Sequence, residues 1–96
     1  MKKYLVLFHD VWEPKPEVQD AWQAWFAQIG DHFVDSGTPF GDGFEITRYG
    51  TRALTAADAP ATGYSIISAS SLEDAEALFA DCPYASTVRL YESKTM

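Results

Sequence analysis

Cysteine is almost missing from this sequence: Cys82 is the single one among 96 residues. A lone thiol excludes an internal disulfide framework and fits a reducing cytoplasm. Cations are scarce as well, with 7 Lys+Arg against 14 Asp+Glu and a formal charge of −7. Scattered cations on an acidic chain lack the electrostatic footprint that nucleic-acid binding needs, so no nucleic-acid partner is expected. Long apolar runs are missing too. The longest, Tyr4 to Phe8, falls far short of the roughly 20 residues of a membrane span. Lys2 and Lys3 lead into no adequate apolar core or small-residue cleavage site, so neither a signal peptide nor a membrane partner is expected. His9, His32 and Cys82 show no ligand spacing of the usual kind, and no metal is expected. Gly41-Asp42-Gly43 has no following lysine and opens no helix, which removes it as a phosphate loop. With no nucleotide or flavin motif either, no cofactor is expected.

What is present is an ordinary globular composition, 47% apolar and 15% aromatic, which excludes wholesale disorder. The length predicts a single domain over residues 1–96. A chain this short buries only about 60–65% of its unfolded surface and gains from oligomerisation.

Lys3 to His9 is short, aromatic and branched, and predicts a strand apolar on both faces, with Tyr4, Val6 and Phe8 on one side and Leu5 and Leu7 on the other. Pro16 suits a first helical position, and Glu17 and Asp20 complement the helix dipole. Val18, Trp22, Trp25, Phe26, Ile29 and Phe33 then form one helical stripe, which Gly37 is placed to stop in the left-handed conformation. Phe44 to Tyr49 predicts the next strand, Arg52 to Leu54 a short return strand, Thr55 to Thr62 a loop, and Gly63 to Ala69 a further strand. Ser70-Ser71-Leu72-Glu73 fits a capping box opening a second helix, with Leu72, Ala75, Leu78, Phe79 and Cys82 on one face and Pro83 at its end. Thr87 to Glu92 predicts the last strand.

This order is α+β, the β-α-β-β-α-β arrangement of ferredoxin-like domains, with both helices on one face of an antiparallel sheet. The other face keeps apolar side chains and no helix to cover them. A second copy is the natural cover, so a homodimer is expected in which two sheets face each other as a dimeric α+β barrel.

Several segments resemble the YciI-like (YCII-related) family: Lys2 to Leu7, Trp22-Gln23-Ala24-Trp25-Phe26, Val34 to Gly41, Gly63 to Ile67, Asp81-Cys82-Pro83 and Val88 to Glu92. The tryptophan pair, the Asp-x-Gly-x-Pro-Phe-Gly turn and the Cys-Pro helix stop carry the likeness, in order and over nearly the whole chain. The resemblance implies a ferredoxin-like subunit in a dimeric barrel. It also implies, for some relatives, an enzyme with a His-Asp pair, and for one the removal of chloride from a hydroxylated aromatic ring. Many relatives place a histidine early in the first helix; here Asp20 or Trp22 stands near that place, and no histidine lies between Val18 and Gln28.

Among residues able to carry chemistry, His9 ends the first strand, and an imidazole there can act as a general base near neutral pH. Asp10, its neighbour on a strand, points to the opposite face. Asp35, beside the Gly37 turn, is the better carboxylate, so His9 and Asp35 form the candidate catalytic pair. Against this stands the reading of His9 as a strand-end polar residue and Asp35 as a solvated carboxylate. Trp12 and Phe40 flank turns and are free to touch a flat ligand, whereas Trp22, Trp25 and Phe26 read as core. Arg48 and Arg89 suit bidentate binding of a ligand carboxylate or ion pairs with Glu45 or Glu92. His32 and Cys82 read as structural. The expected function is a cofactor-independent lyase, hydrolase or isomerase acting on a small organic substrate. The alternatives are a non-catalytic small-molecule-binding or accessory module, and a cofactor-free barrel monooxygenase.

Overall fold

The computed structural model of the chain describes residues 1–10, 15–83 and 87–94. Its first strand, β1 (Lys2–Phe8), buries Tyr4, Val6 and Phe8 and leaves Leu5 and Leu7 half-buried on the other side. Helix α1 (Pro16–Ile29) follows, with Trp22, Trp25 and Ile29 buried against that inner face. Gly30 then leaves the helical conformation at φ 10° and ψ −76° while its N–H still bonds the Phe26 carbonyl. A short turn of 3-10 helix (Gly30–His32) reverses the chain.

Residues 33–39 differ from the sequence expectation. The helix does not run to Gly37; Phe33–Pro39 is strand β2. Gly30 withdraws helical support at about 1 kcal/mol relative to Ala, and Phe33-Val34 brings aromatic and β-branched side chains that suit a strand. Phe33 still reaches the core, 6.1 Å from the Trp25 ring and stacked on Phe26 at 5.4 Å, but it does so from the sheet.

Strands β3 (Phe44–Thr47) and β4 (Gly50–Ala53) pair with each other alone. The expected strand at Phe44 to Tyr49 is therefore half of a separate hairpin, and the second sheet strand is β2. The loop after it holds a 3-10 turn (Ala56–Asp58) closed by a capping box between Thr55 and Asp58. Strand β5 (Gly63–Ala69) alternates buried and half-buried residues throughout. Helix α2 (Leu72–Ala77) starts on the Ser71 hydroxyl, which accepts from the Asp74 N–H at 3.2 Å. Strand β6 (Val88–Glu92) completes the chain's main sheet.

The sheet is four-stranded, antiparallel and ordered β2-β5-β1-β6, an α+β connectivity compatible with the ferredoxin-like arrangement. The core lies between the helices and the inner sheet face, where Trp25 sits 2% exposed among Val6, Ile67 and Ala75. Its indole N–H donates to the Leu78 carbonyl at 2.9 Å, so α1 satisfies a carbonyl at the C-terminal end of α2. Gln28 donates to Asp81 at 3.0 Å and ties α1 to the turn that follows α2. The outer face carries Leu5, Leu7, Tyr64 and Ile66 on its two central strands, with Tyr91 and Arg89 opposite them on β6. Among the described residues no helix is long and apolar enough to cross a membrane.

Candidate functional site

At the end of the sheet where β1 finishes and β5 begins, α1 and the strands do not close on each other. They enclose a cavity of about 370 Å³ whose walls include Phe8, Val18, Trp22 and Phe26, with Ser36 to Pro39 along the β2 edge and Thr62 and Gly63 beside them. The Phe8 and Trp22 rings meet edge to face at 5.5 Å, which fixes the floor. Among the described residues, the charged wall residue is Asp10. Two-residue alternation explains its place: Asp10 shares the parity of Phe8 and so turns towards the helix side. Thr62 holds that end together, its N–H donating to the Phe8 carbonyl at 2.6 Å and its hydroxyl to the carbonyls of Phe8 and Asp10.

The β2 edge of the cavity depends on a bulge. The β2–β5 register slips between Asp35 and Thr38, and Gly37 sits there at φ +80°. A Cβ at Gly37 would stand 1.7 Å from the Tyr64 carbonyl oxygen, so only glycine permits this approach. Asp35 braces the bulge, accepting the Gly37 N–H at 2.8 Å and the Tyr64 hydroxyl at 2.7 Å. The Tyr64 hydroxyl, and after it the Gly37 amide, holds the Asp35 carboxyl below the ordinary carboxylate range. In return the Asp35 carboxylate raises the Tyr64 phenol above its ordinary value. A carboxylate held low is a weak base, so this pair positions groups better than it moves protons.

The residues expected from sequence to form the site are spread over the molecule. His9, Asp35, Phe40, Arg48 and Arg89 all lie outside the walls of the cavity, and Trp12 lies outside the described residues. His9 has the parity of Leu5 and Leu7, away from Asp10. Its Nδ1 is 3.1 Å from the Ala59 carbonyl and so carries the hydrogen, while Nε2 is buried with no hydrogen-bond partner among the described residues. Asp35 faces the outer side opposite Ile66, and Phe40 stacks on Tyr64 at 5.9 Å. Arg89 stands opposite Leu7 on that same side. Arg48 is exposed in the β3–β4 turn. The carboxylates considered for these arginines are engaged elsewhere: Glu45 with Arg52 at 3.0 Å and Glu92 with Lys2 at 3.5 Å.

Two members of the cavity are legible in the sequence in another role. Trp22 and Phe26 belong to the core stripe and form a cavity wall as well. Asp10 is a residue the sequence reading misses, and its parity with Phe8 is the signal that could have found it. The bulge residues carried no such signal. Among the described residues no group of three His, Cys, Asp or Glu side chains gathers as a metal site. Compared with protein-family models, curated proteins and solved structures, the chain matches none.

Proposed function

We propose that this chain is a single YciI-like domain that binds a small, flat, largely apolar organic molecule in the cavity between α1 and the sheet, without a cofactor. We propose also that two copies pair through the uncovered sheet face as a dimeric α+β barrel. The observation that carries the binding reading is the cavity itself: about 370 Å³ walled by Phe8, Trp22 and Phe26, with Asp10 as its charged group among the described residues. Organic-ligand sites have this make-up, an apolar lining with few polar groups that set orientation. An apolar cavity of about 150 Å³ already takes benzene, so two fused rings are a reasonable size class here. The pairing reading is supported by the outer face, whose apolar centre of Leu5, Leu7 and Ile66 has charged residues at its margin, as interfaces do.

A thermal-shift series with fused-ring aromatic compounds tests the binding reading. A ligand at 100 times its Kd adds about 2.7 kcal/mol, which raises the Tm of a domain this size by roughly 10 °C or more. Val18→Trp, which fills the cavity from α1, should abolish the shift. Absence of any shift, or an equal shift in Val18→Trp, would remove the cavity as the site.

One observation favours a second reading, a proton transfer in a lyase, hydrolase or isomerase step on a molecule held beside His9, on the side of the strand end away from the cavity. His9 Nε2 is buried without a partner among the described residues, and an orphaned acceptor costs about 1–3 kcal/mol unless something fills it. If His9 is the base, His9→Gln eliminates turnover of a compound whose thermal shift survives in Val18→Trp, while that shift persists. Undiminished turnover would take that role away from His9.

A further inference from the structure

Between Phe40 and Thr62 the chain leaves the sheet and returns to it. Backbone bonds from Phe40 N–H to the Thr62 carbonyl and from Leu54 N–H to the Gly43 carbonyl, each 2.8 Å, close the base of this excursion. Within it β3 and β4 pair from Phe44↔Ala53 to Thr47↔Gly50, and every residue of both strands is exposed. Alternation gives the ribbon two unlike faces. Glu45 and Arg52 share one, and that face is clamped to its own chain: Arg52 donates to Glu45 at 3.0 Å and to both Asp58 oxygens at 2.9 and 3.0 Å. Phe44 and Ile46 share the other, 60% and 78% exposed, with Tyr49 fully exposed at the turn. A lone two-stranded ribbon is marginal in water and needs another layer against its apolar side.

We infer that this hairpin is a dimerisation arm whose Phe44–Ile46 face lies on the uncovered sheet face of a second copy of the chain. The inference rests on the homodimer reading above and specifies what holds the pair together. Size argues for it. The apolar centre of the outer face spans two strands over about five residues, roughly 16 by 10 Å. That patch is far below the ~800 Å² per partner of a standard stable interface. An arm from each copy enlarges the contact on both sides. Shape agrees: the chain extends 41 × 41 × 18 Å with a radius of gyration of 14.7 Å, against about 12.5 Å for a compact chain of this length. Each copy also carries both halves of the contact, an apolar arm and an apolar face, so a two-fold pairing satisfies both arms at once.

Sedimentation velocity on the full chain at micromolar concentration should give a species of twice 10.7 kDa. The double variant Phe44→Ser/Ile46→Ser, which alters only exposed side chains, should weaken the dimer about 100-fold or more with an unchanged circular-dichroism spectrum. In parallel, Ile46→Cys combined with Leu5→Cys, Leu7→Cys or Ile66→Cys in turn should yield a disulfide between copies under oxidising conditions, read by non-reducing electrophoresis. A wild-type monomer would overturn the homodimer reading and this inference together. A wild-type dimer whose double variant dimerises equally well would overturn the arm alone, and so would a dimer in which none of the three cysteine pairs cross-links, even if the serine variant fails to fold.

Discussion

Gly37 shows how one residue sets the edge of the cavity. Its φ of +80° and the 1.7 Å that would separate a Cβ from the Tyr64 oxygen make any side chain intolerable without parting β2 from β5. Gly37→Ala is expected to cost about 3 kcal/mol or more, combining backbone strain with a lost close approach, as read from urea unfolding. The sequence suggests a left-handed residue at this position but not the reason for it. A helix stop and a strand bulge ask the same backbone angle of glycine, and the difference lies in β5, which is remote in sequence. The neighbouring pair yields a second prediction. The folded-state pKa of Asp35 is depressed, so its stabilisation is full above the unfolded value near 3.9 and is lost as pH falls through the lowered one. The Tyr64 value is raised, so its contribution is full below about 10 and is lost as pH rises through the raised value. Ultraviolet difference titration against Tyr64→Phe should show Tyr64 ionising later than an ordinary tyrosine, and Asp35→Asn should bring it back towards the ordinary value. An unchanged titration in Asp35→Asn would break the pair.

At the scale of elements, β1, β5 and the opening of α2 were legible because local signals agree with what tertiary packing rewards. The short aromatic and branched runs in Lys2–Phe8 and Gly63–Ala69 act over a few residues, as does the serine cap, which falls on Ser71 and the Asp74 amide, one residue later than the Ser70–Glu73 box. The end of α1 was not legible. Phe33 continues the apolar stripe in number, and the core takes its ring equally well from a helix or from a strand. What decides is the reversal at Gly30, whose weight depends on β5 waiting to pair with β2. Trp25 joins these elements, packing on Phe33 at 6.1 Å and Phe79 at 5.3 Å. Trp25→Ala should destabilise the fold by about 3–5 kcal/mol. Trp25→Phe, which keeps much of the packing and leaves the Leu78 carbonyl without its donor, should cost about 1–3 kcal/mol in the same unfolding experiment. Equal costs for the two would mean that the hydrogen bond, and not the packing, dominates the site.

For the whole molecule, the β-α-β-β-α-β order emerges from the sequence, although residue types point to Phe44–Tyr49 for the second strand and the structure uses Phe33–Pro39. The hairpin that stood in for it is an excursion between β2 and β5, and removing it leaves the same order. The candidate site was legible only in pieces. His9, Asp35 and Arg89 were chosen for their chemistry, which is written in residue types; the cavity is a property of how α1 sits over one end of the sheet, which residue types do not record. A ligand in the cavity must meet the sheet on its helix side. Backbone and indole N–H shift mapping by two-dimensional NMR, with a fused-ring aromatic hit titrated into the labelled protein, tests that directly. Binding in the cavity predicts shifts centred on the Trp22 indole, Phe26, Gly37, Thr38 and Gly63. Shifts centred instead on Leu5, Leu7, Ile66 and Arg89, with the Trp22 indole unmoved, would contradict it.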